Sequence, residues 1–340
     1  MNQSLAAAPD PLEHPAALPF PMRARGRHRD LDEIVSDFRE LGGYARISEA
    51  DGSHLAISLS HELAHALTER QQRRGSREQI LEQIEPARAV YAESPFVRRL
   101  QTWPRGYAGD FETIEYLLQQ QNHAEPGRFA YWLERYALDS AIAQQHRNKV
   151  DLQARAIVDA ALVSSTPEDV ARILVLAAGG SPDLRQVQTL LSTSRAHIVL
   201  LDQDPDALAF SAEQLPLLRE RLSLLNRNVV RGLQDARRFG PYSLVVAGGL
   251  FDYLPDRMAV LVLRQIRERL LHAGGRVLFT NITEPNPYRY WIEYVGEWCL
   301  IHRSESEVRT LCHEAGFADE SIEVKSDRTG LARIVTGTAS

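Results

Sequence analysis

Two glycines, Gly179 and Gly180, close a run of apolar residues, Ile173-Leu174-Val175-Leu176-Ala177-Ala178, and lead into Ser181-Pro182-Asp183. No other feature constrains the fold as much. A short β-branched and apolar run reads as a buried strand. Glycine after it allows positive φ and close approach of the backbone to a ligand. Pro182 and Asp183 suit the first turn of a helix. A second apolar run, residues 196–201, ends at Asp202, roughly 20 residues on, where an acid can accept hydrogen bonds from both hydroxyls of a ribose. Ligands of open α/β sheets bind beyond the carboxyl ends of the strands. The turn does not match Gly-x-Gly-x-x-Gly, which disfavours a pyrophosphate. An adenosyl ligand without phosphate fits better.

Residues 243–247, ending at Gly248-Gly249, and 276–280 are two further apolar runs, with helical stretches at 184–191, 206–218 and 256–271. Strands alternating with helices predict a parallel α/β sheet. Residues 320–325 and 331–336, with a turn between them, predict a terminal hairpin. Before this half the periodicity is helical, as in Ile34, Phe38 and Leu41 or Ile142, Val150, Ala154 and Ile157. A chain of 340 residues predicts about two domains. The expected division is a proline-rich, loosely docked arm at 1–28, a helical cap domain at 29–160 and the α/β domain at 161–340. The basic run at 23–29 reads as a solvated face, with a phosphate-binding strip as the sharper alternative.

The second half resembles the class I S-adenosylmethionine (SAM)-dependent methyltransferases over about residues 170–334. The glycine turn stands where that family binds SAM, and Asp202, followed by Gln203, matches the ribose acid. Gln234-Asp235-Ala236 resembles the adenine segment, and residues 244–254 the fourth-strand motif with Gly248. Trp103-Pro104-Arg105-Gly106-Tyr107-Ala108-Gly109-Asp110 looks like the Pro-x-Gly-Tyr-x-Gly-Asp motif of a bacterial subgroup that makes 3-hydroxypalmitic acid methyl ester. The azetidine-2-carboxylate synthases, which cyclise SAM and release methylthioadenosine, share the fold. The resemblance implies a Rossmann-like sheet with an antiparallel C-terminal hairpin, SAM as cosubstrate or substrate, and a cytoplasmic enzyme acting on a small molecule.

One departure stands out: Ala177 and Ala178 replace the acid usual inside the glycine motif, so another segment must hold the methionine end. Arg105, Arg147 and Asn148 are candidates, Arg for the carboxylate and Asp110 or Tyr107 for the amine. Expected SAM contacts are these with Ala177, Gly179, Asp202, Gln203, Asp235, Ala236 and Gly248. Tyr107, Asp110 and Tyr290 are the catalytic candidates. Phe111, Asn281, Tyr288 and Trp291 are expected to line the acceptor pocket, since aromatic faces favour a sulfonium.

His61-Glu62-Leu63-Ala64-His65 is the rival motif. On a helix it puts two imidazoles on one face, as a zinc peptidase requires, although it also reads as an ordinary amphipathic helix. With two cysteines, Cys299 and Cys312, neither a disulfide framework nor an all-Cys zinc site is available. Lys and Arg total 39 against 45 Asp and Glu, a net charge of −6. A dedicated nucleic-acid binder is more often basic. No run of about 20 apolar residues predicts a membrane helix, and no unbroken apolar segment follows a basic start as in a signal peptide. A homodimer is left open.

Overall fold

The computed structural model describes residues 29–44, 46–163 and 170–340, so the arm expected at 1–28 lies outside the described residues, as does most of the basic run. Among the described residues seven helices precede the first strand: α1 (Leu31–Gly42), α2 (Glu49–Gln72), α3 (Arg77–Tyr91), α4 (Pro95–Thr102), α5 (Phe111–Gln119), α6 (Phe129–Asp139) and α7 (Ala141–Val163). The chain forms two compact units. One contains the residues up to Arg98 with Asn122–Tyr136, the other Arg99–Gln121 with Ala137–Ser340.

The first unit is helical. Its helices start where side chains satisfy the free backbone N–H groups: Asp30 accepts from Glu33 N–H at 2.9 Å, and Ser48 and Ser76 do the same for α2 and α3 at 3.2 Å. Ile34, Phe38 and Leu41 point into the core with Leu63, Leu67, Ile80 and Ile84. Glu134 is fully buried, and its charge is met by Ser94 Oγ at 2.6 Å and by the N–H groups of Phe96 and His123. The His-Glu-x-x-His segment lies on α2. His61 and His65 are exposed, the His61 ring packs edge-on against Tyr136, and Glu62 pairs with Arg29 at 2.7 Å. Among the described residues no group of three or more His, Cys, Asp or Glu could hold a metal ion.

The second unit is built on a seven-stranded sheet of order β3-β2-β1-β4-β5-β7-β6. Its strands are β1 (Arg172–Leu176), β2 (His197–Asp202), β3 (Leu222–Asn226), β4 (Tyr242–Ala247), β5 (Leu271–Ile282), β6 (Ile322–Ser326) and β7 (Ala332–Thr338). Strands β1 to β5 are parallel, and β7 runs antiparallel between β5 and β6. This is a Rossmann-like parallel sheet with a C-terminal antiparallel hairpin. The period of two sorts the strands' side chains into two cores. Leu174, Leu176, Val245 and Val277 share one face with α11 (Asp256–Arg269) and α13 (Glu305–Glu314); Ile173, Val175, Val246 and Leu278 share the other with α7 and α8 (Pro182–Ser192). The remaining helices are α9 (Pro205–Gln214), α10 (Val229–Ala236) and α12 (Arg289–Tyr294). Among the described residues no helix is long and apolar enough to cross a membrane.

Two features differ from the sequence reading. Residue 160 is not a boundary: it lies inside α7, whose Ile157, Ala160 and Ala161 pack in the sheet core, and α5 likewise belongs to the sheet's unit. The sequence reading also passed over β3. This edge strand has one fully buried residue, Leu225, and carries Ser223 and Asn226, so it lacks the continuous apolar run of a central strand.

Candidate active site

The strand order reverses between β1 and β4, whose neighbours lie on opposite sides, and a crevice opens there at the carboxyl ends. Ala177 and Gly248 follow these two buried strands and are both exposed, so they floor the crevice. Ala177 and Ser181 hold φ of +49°, and Gly179 of +53°. For the two non-glycines this left-handed geometry costs about 1–2 kcal/mol each. Hydrogen bonds fix the turn: Ser211 Oγ donates to Gly179 O at 2.7 Å, and Gly179 N–H donates to Asp202 Oδ2 at 2.8 Å.

Asp202 is 8% exposed at the end of β2. Its Oδ1 accepts the Asp204 N–H at 2.9 Å. Each oxygen therefore takes at least one backbone N–H bond. Burial pushes this carboxyl up, against the pull of those backbone bonds. Gln203 is exposed beside it.

A strap, residues 103–110, crosses the end of β1. On one side Arg105 donates from Nε and Nη2 to the two oxygens of Asp204 at 3.0 and 2.9 Å, and Tyr107 OH donates to Asp204 Oδ2 at 3.1 Å. Arg105 also reaches Asp206 at 2.7 Å and Glu112 at 3.2 Å. On the other side Tyr253, in the segment after β4, donates its hydroxyl to Ala108 O at 3.3 Å and accepts Trp298 Nε1–H at 2.8 Å. Burial, then Asp204, raises the Tyr107 phenol. Burial pushes Asp204 up, but the Arg105 hydrogen bonds and the Asp206 N–H bring it below the usual carboxylate range. Phe111, first residue of α5, sits with its Cβ 3.6 Å from where a side chain on Gly179 would begin. Glu115 of α5 contacts Gly180 and pairs with Arg185.

The other expected site residues divide. Asp110 is 1% exposed and committed to the frame: it caps α5 through Glu112 and Thr113 N–H and pairs with Arg99 at 2.6 Å. Arg105 stands at the crevice, but its guanidinium is held by three carboxylates rather than left for a ligand's. Arg147 donates to Leu117 O at 3.0 Å and Leu138 O at 3.2 Å, closing the ends of α5 and α6. Asn148 bonds Asp327 at 2.8 Å in the β6–β7 turn. Asp235 and Ala236 are corrected outright. Helix α10 starts at Val229, which puts both at its far end; Asp235 pairs with Arg227, and Ala236, fully buried, accepts the Tyr242 hydroxyl. The segment directly after β3 is Arg227-Asn228 instead. Asn281 is fully buried, donating to Asp252 Oδ1 at 3.1 Å and accepting from Arg303 at 2.6 Å, so it braces loops. Trp291 is 2% exposed core. Tyr288 and Tyr290 are half-buried, the first beside α12 and the second on it, where its ring lies 6.4 Å from that of Tyr294.

Sequence reasoning missed the wall that α7 supplies. Gln153 lies against Gly248, and Lys149 Nζ stands 4.0 Å from where a side chain on Gly249 would begin and 3.8 Å from Asp252 Oδ2. Burial pulls Lys149 down and Asp252 up, while their mutual charge offsets part of each shift. His146 stacks on Trp298 with centroids 5.6 Å apart. The available signal was the spacing of His146, Lys149 and Gln153, which places three polar groups on one face of a helix otherwise built to be buried.

No family model matches the chain, and no curated protein does. Solved structures of similar fold are numerous. A possible exported protein from Bordetella parapertussis is 18% identical with a TM-score of 0.56, covering 91% of this chain and 95% of its own. The S-adenosylmethionine-dependent methyltransferase SibL, in its apo form, is 13% identical with a TM-score of 0.44, covering 91% and 96%. Magnesium protoporphyrin IX methyltransferase from Synechocystis PCC 6803, with bound SAH, is 13% identical with a TM-score of 0.44, covering 59% and 86%.

Proposed function

We propose that this chain is a SAM-dependent enzyme of small-molecule metabolism that transfers the methyl group of SAM to a small acceptor. One observation carries the reading. Asp202 stands at the end of β2 beside the glycine turn, its two carboxylate oxygens oriented by the backbone N–H groups of Gly179 and Asp204, as befits an acid that accepts from a ribose diol. Asp204 and Asp206 beside it make a phosphate-bearing dinucleotide unfavourable there. The exposed floor of Ala177 and Gly248 leaves room for a ligand against the strand ends. Asp202 would hold the ribose, the Gly179 turn would approach the ligand through its backbone, and Tyr107 and Phe111 would cover it. When bound, the sulfonium supplies an electrophilic methyl group, and the protein supplies position and exclusion of water. The same reading makes the protein a cytoplasmic one.

Calorimetry with S-adenosylhomocysteine (SAH) tests this. The wild type should bind, and Asp202→Ala should bind roughly 10- to 100-fold more weakly, the worth of hydrogen bonds to a charged group. No binding by the wild type, or equal affinity in the variant, overturns it. Mass spectrometry after incubation with SAM alone decides the reaction. Methylthioadenosine formed without an acceptor would replace methyl transfer by cyclisation.

A further inference from the structure

His146, at the carboxyl end of the sheet, is a titratable side chain that none of the hydrogen bonds above employs. Gln153 and Lys149 of α7 face Gly248 and Gly249 at the end of β4. His146 lies on the same helix face, three residues before Lys149, and so about 4.5 Å further along the axis. Because α7 leads into β1, that advance carries it beyond the carboxyl ends of the strands, on the side where ligands of such sheets bind. Trp298 stacks under its ring, and the Trp298 indole N–H is held by Tyr253, the same tyrosine that pins the strap. Neither ring nitrogen of His146 has a hydrogen-bond partner among the described residues. A histidine serving the frame would spend at least one nitrogen on a neighbour. Tyr253, though enclosed by protein, keeps 43% of its surface accessible, and His146 also keeps part of its own, as expected for walls of an open cleft.

We propose that His146 is the general base of the reaction, taking the proton from an acceptor hydroxyl as the methyl group is transferred. This rests on the SAM-dependent reading. The step balances without a further reactant. An unprotonated ring nitrogen of His146 takes the hydroxyl proton, and an oxygen lone pair forms the bond to the methyl carbon. The carbon–sulfur bond breaks with its pair going to sulfur, which gives SAH. The imidazolium then returns the proton to solvent. Its surroundings suit His146 to this task. Burial, with the charges of Lys149 and Arg147, holds its ring in the neutral form.

The test needs no knowledge of the acceptor. The probe is a SAM analogue in which nitrogen replaces the sulfonium sulfur and carries a 2-iodoethyl arm in place of the methyl group. Its reactive carbon reaches past the methyl position into the acceptor's space. Iodide leaves as the arm closes to an aziridinium, which a nearby nucleophile opens. Peptide mapping of the wild type should place the adduct on His146, and His146→Gln should lose at least nine-tenths of the label while binding SAH as the wild type does. An adduct on another residue, or none although SAH competes for the probe's site, overturns the assignment and leaves the SAM reading standing. Failure of the wild type to bind SAH removes both.

Discussion

Arg105 clamps Asp204 with two parallel hydrogen bonds, Nε to Oδ2 at 3.0 Å and Nη2 to Oδ1 at 2.9 Å. Asp204 in turn gives its N–H to Asp202 Oδ1 and caps α9, so the strap, the acidic loop and Asp202 form one unit. Replacing Arg105 by Met leaves Asp204 without its cation. SAH affinity should fall about 5- to 30-fold, the worth of one or two charge-assisted bonds in a partly exposed pair. Arg105→Lys should not restore it, because an ammonium cannot make the planar paired contact. Calorimetry on the three proteins checks both; wild-type affinity in Arg105→Met would detach the strap from the site.

The strap's partner was beyond what the sequence could show, whereas much of the sheet was not. Strands β1, β2 and β4 were legible because they are buried on both faces and read as unbroken apolar runs ending in Gly or Asp. Strand β3 lies at the sheet's edge, where half-exposed Leu222, Ser223 and Leu224 dilute the signal. Missing it placed the segment that follows the third strand at Asp235 and Ala236, which instead end α10. Helices α5 and α7 share their periodicity with those of the helical unit, so only packing assigns them to the sheet. Arg147 and Asn148 had the chemistry to bind a ligand's carboxylate. The carbonyls of Leu117 and Leu138 and the Asp327 carboxylate that claim them are distant in sequence or invisible in it.

Arg147 gives the second prediction. Its guanidinium satisfies carbonyls at two helix ends, so Arg147→Met should cost about 1–2 kcal/mol of stability. SAH affinity should stay within twofold of the wild type. Denaturant unfolding beside calorimetry separates the two effects, and a tenfold loss of affinity at unchanged stability would return Arg147 to the ligand.

Asp183 governs a pH dependence. It is 3% exposed in the first turn of α8, and burial lifts its carboxyl to about 6, against bonds from the Leu184 N–H and its own. A carboxyl raised in the folded state binds more protons there than in the unfolded chain. Its favourable contribution is therefore complete below the unfolded value near 4 and is lost as pH rises through about 6. Asp183→Asn should leave stability at pH 4 nearly unchanged and raise it at pH 7.5 by roughly 2 kcal/mol, part of the gain being offset by loss of a favourable charge at a helix N-terminus. Melting curves of both proteins at the two pH values check it; an equal difference at both would contradict a buried, protonated Asp183.

Gly106 and Gly109 separate backbone strain from contact within the strap. Both hold positive φ, +84° and +71°. A Cβ on Gly106 would meet nothing within 4 Å, whereas on Gly109 it would fall inside the contact distance of the Tyr253 hydroxyl and the Trp298 ring. Gly106→Ala should therefore cost only the left-handed backbone term, about 1–2 kcal/mol. Gly109→Ala should add a clash of about 1–3 kcal/mol, since neither aromatic ring can withdraw without giving up its hydrogen bond. Tyr253→Phe in the Gly109→Ala background should recover less than half of that excess, because Trp298 still fills the space. Unfolding free energies of the four proteins measure it. Equal costs at Gly106 and Gly109 would mean that the strap does not rest on Tyr253 and Trp298.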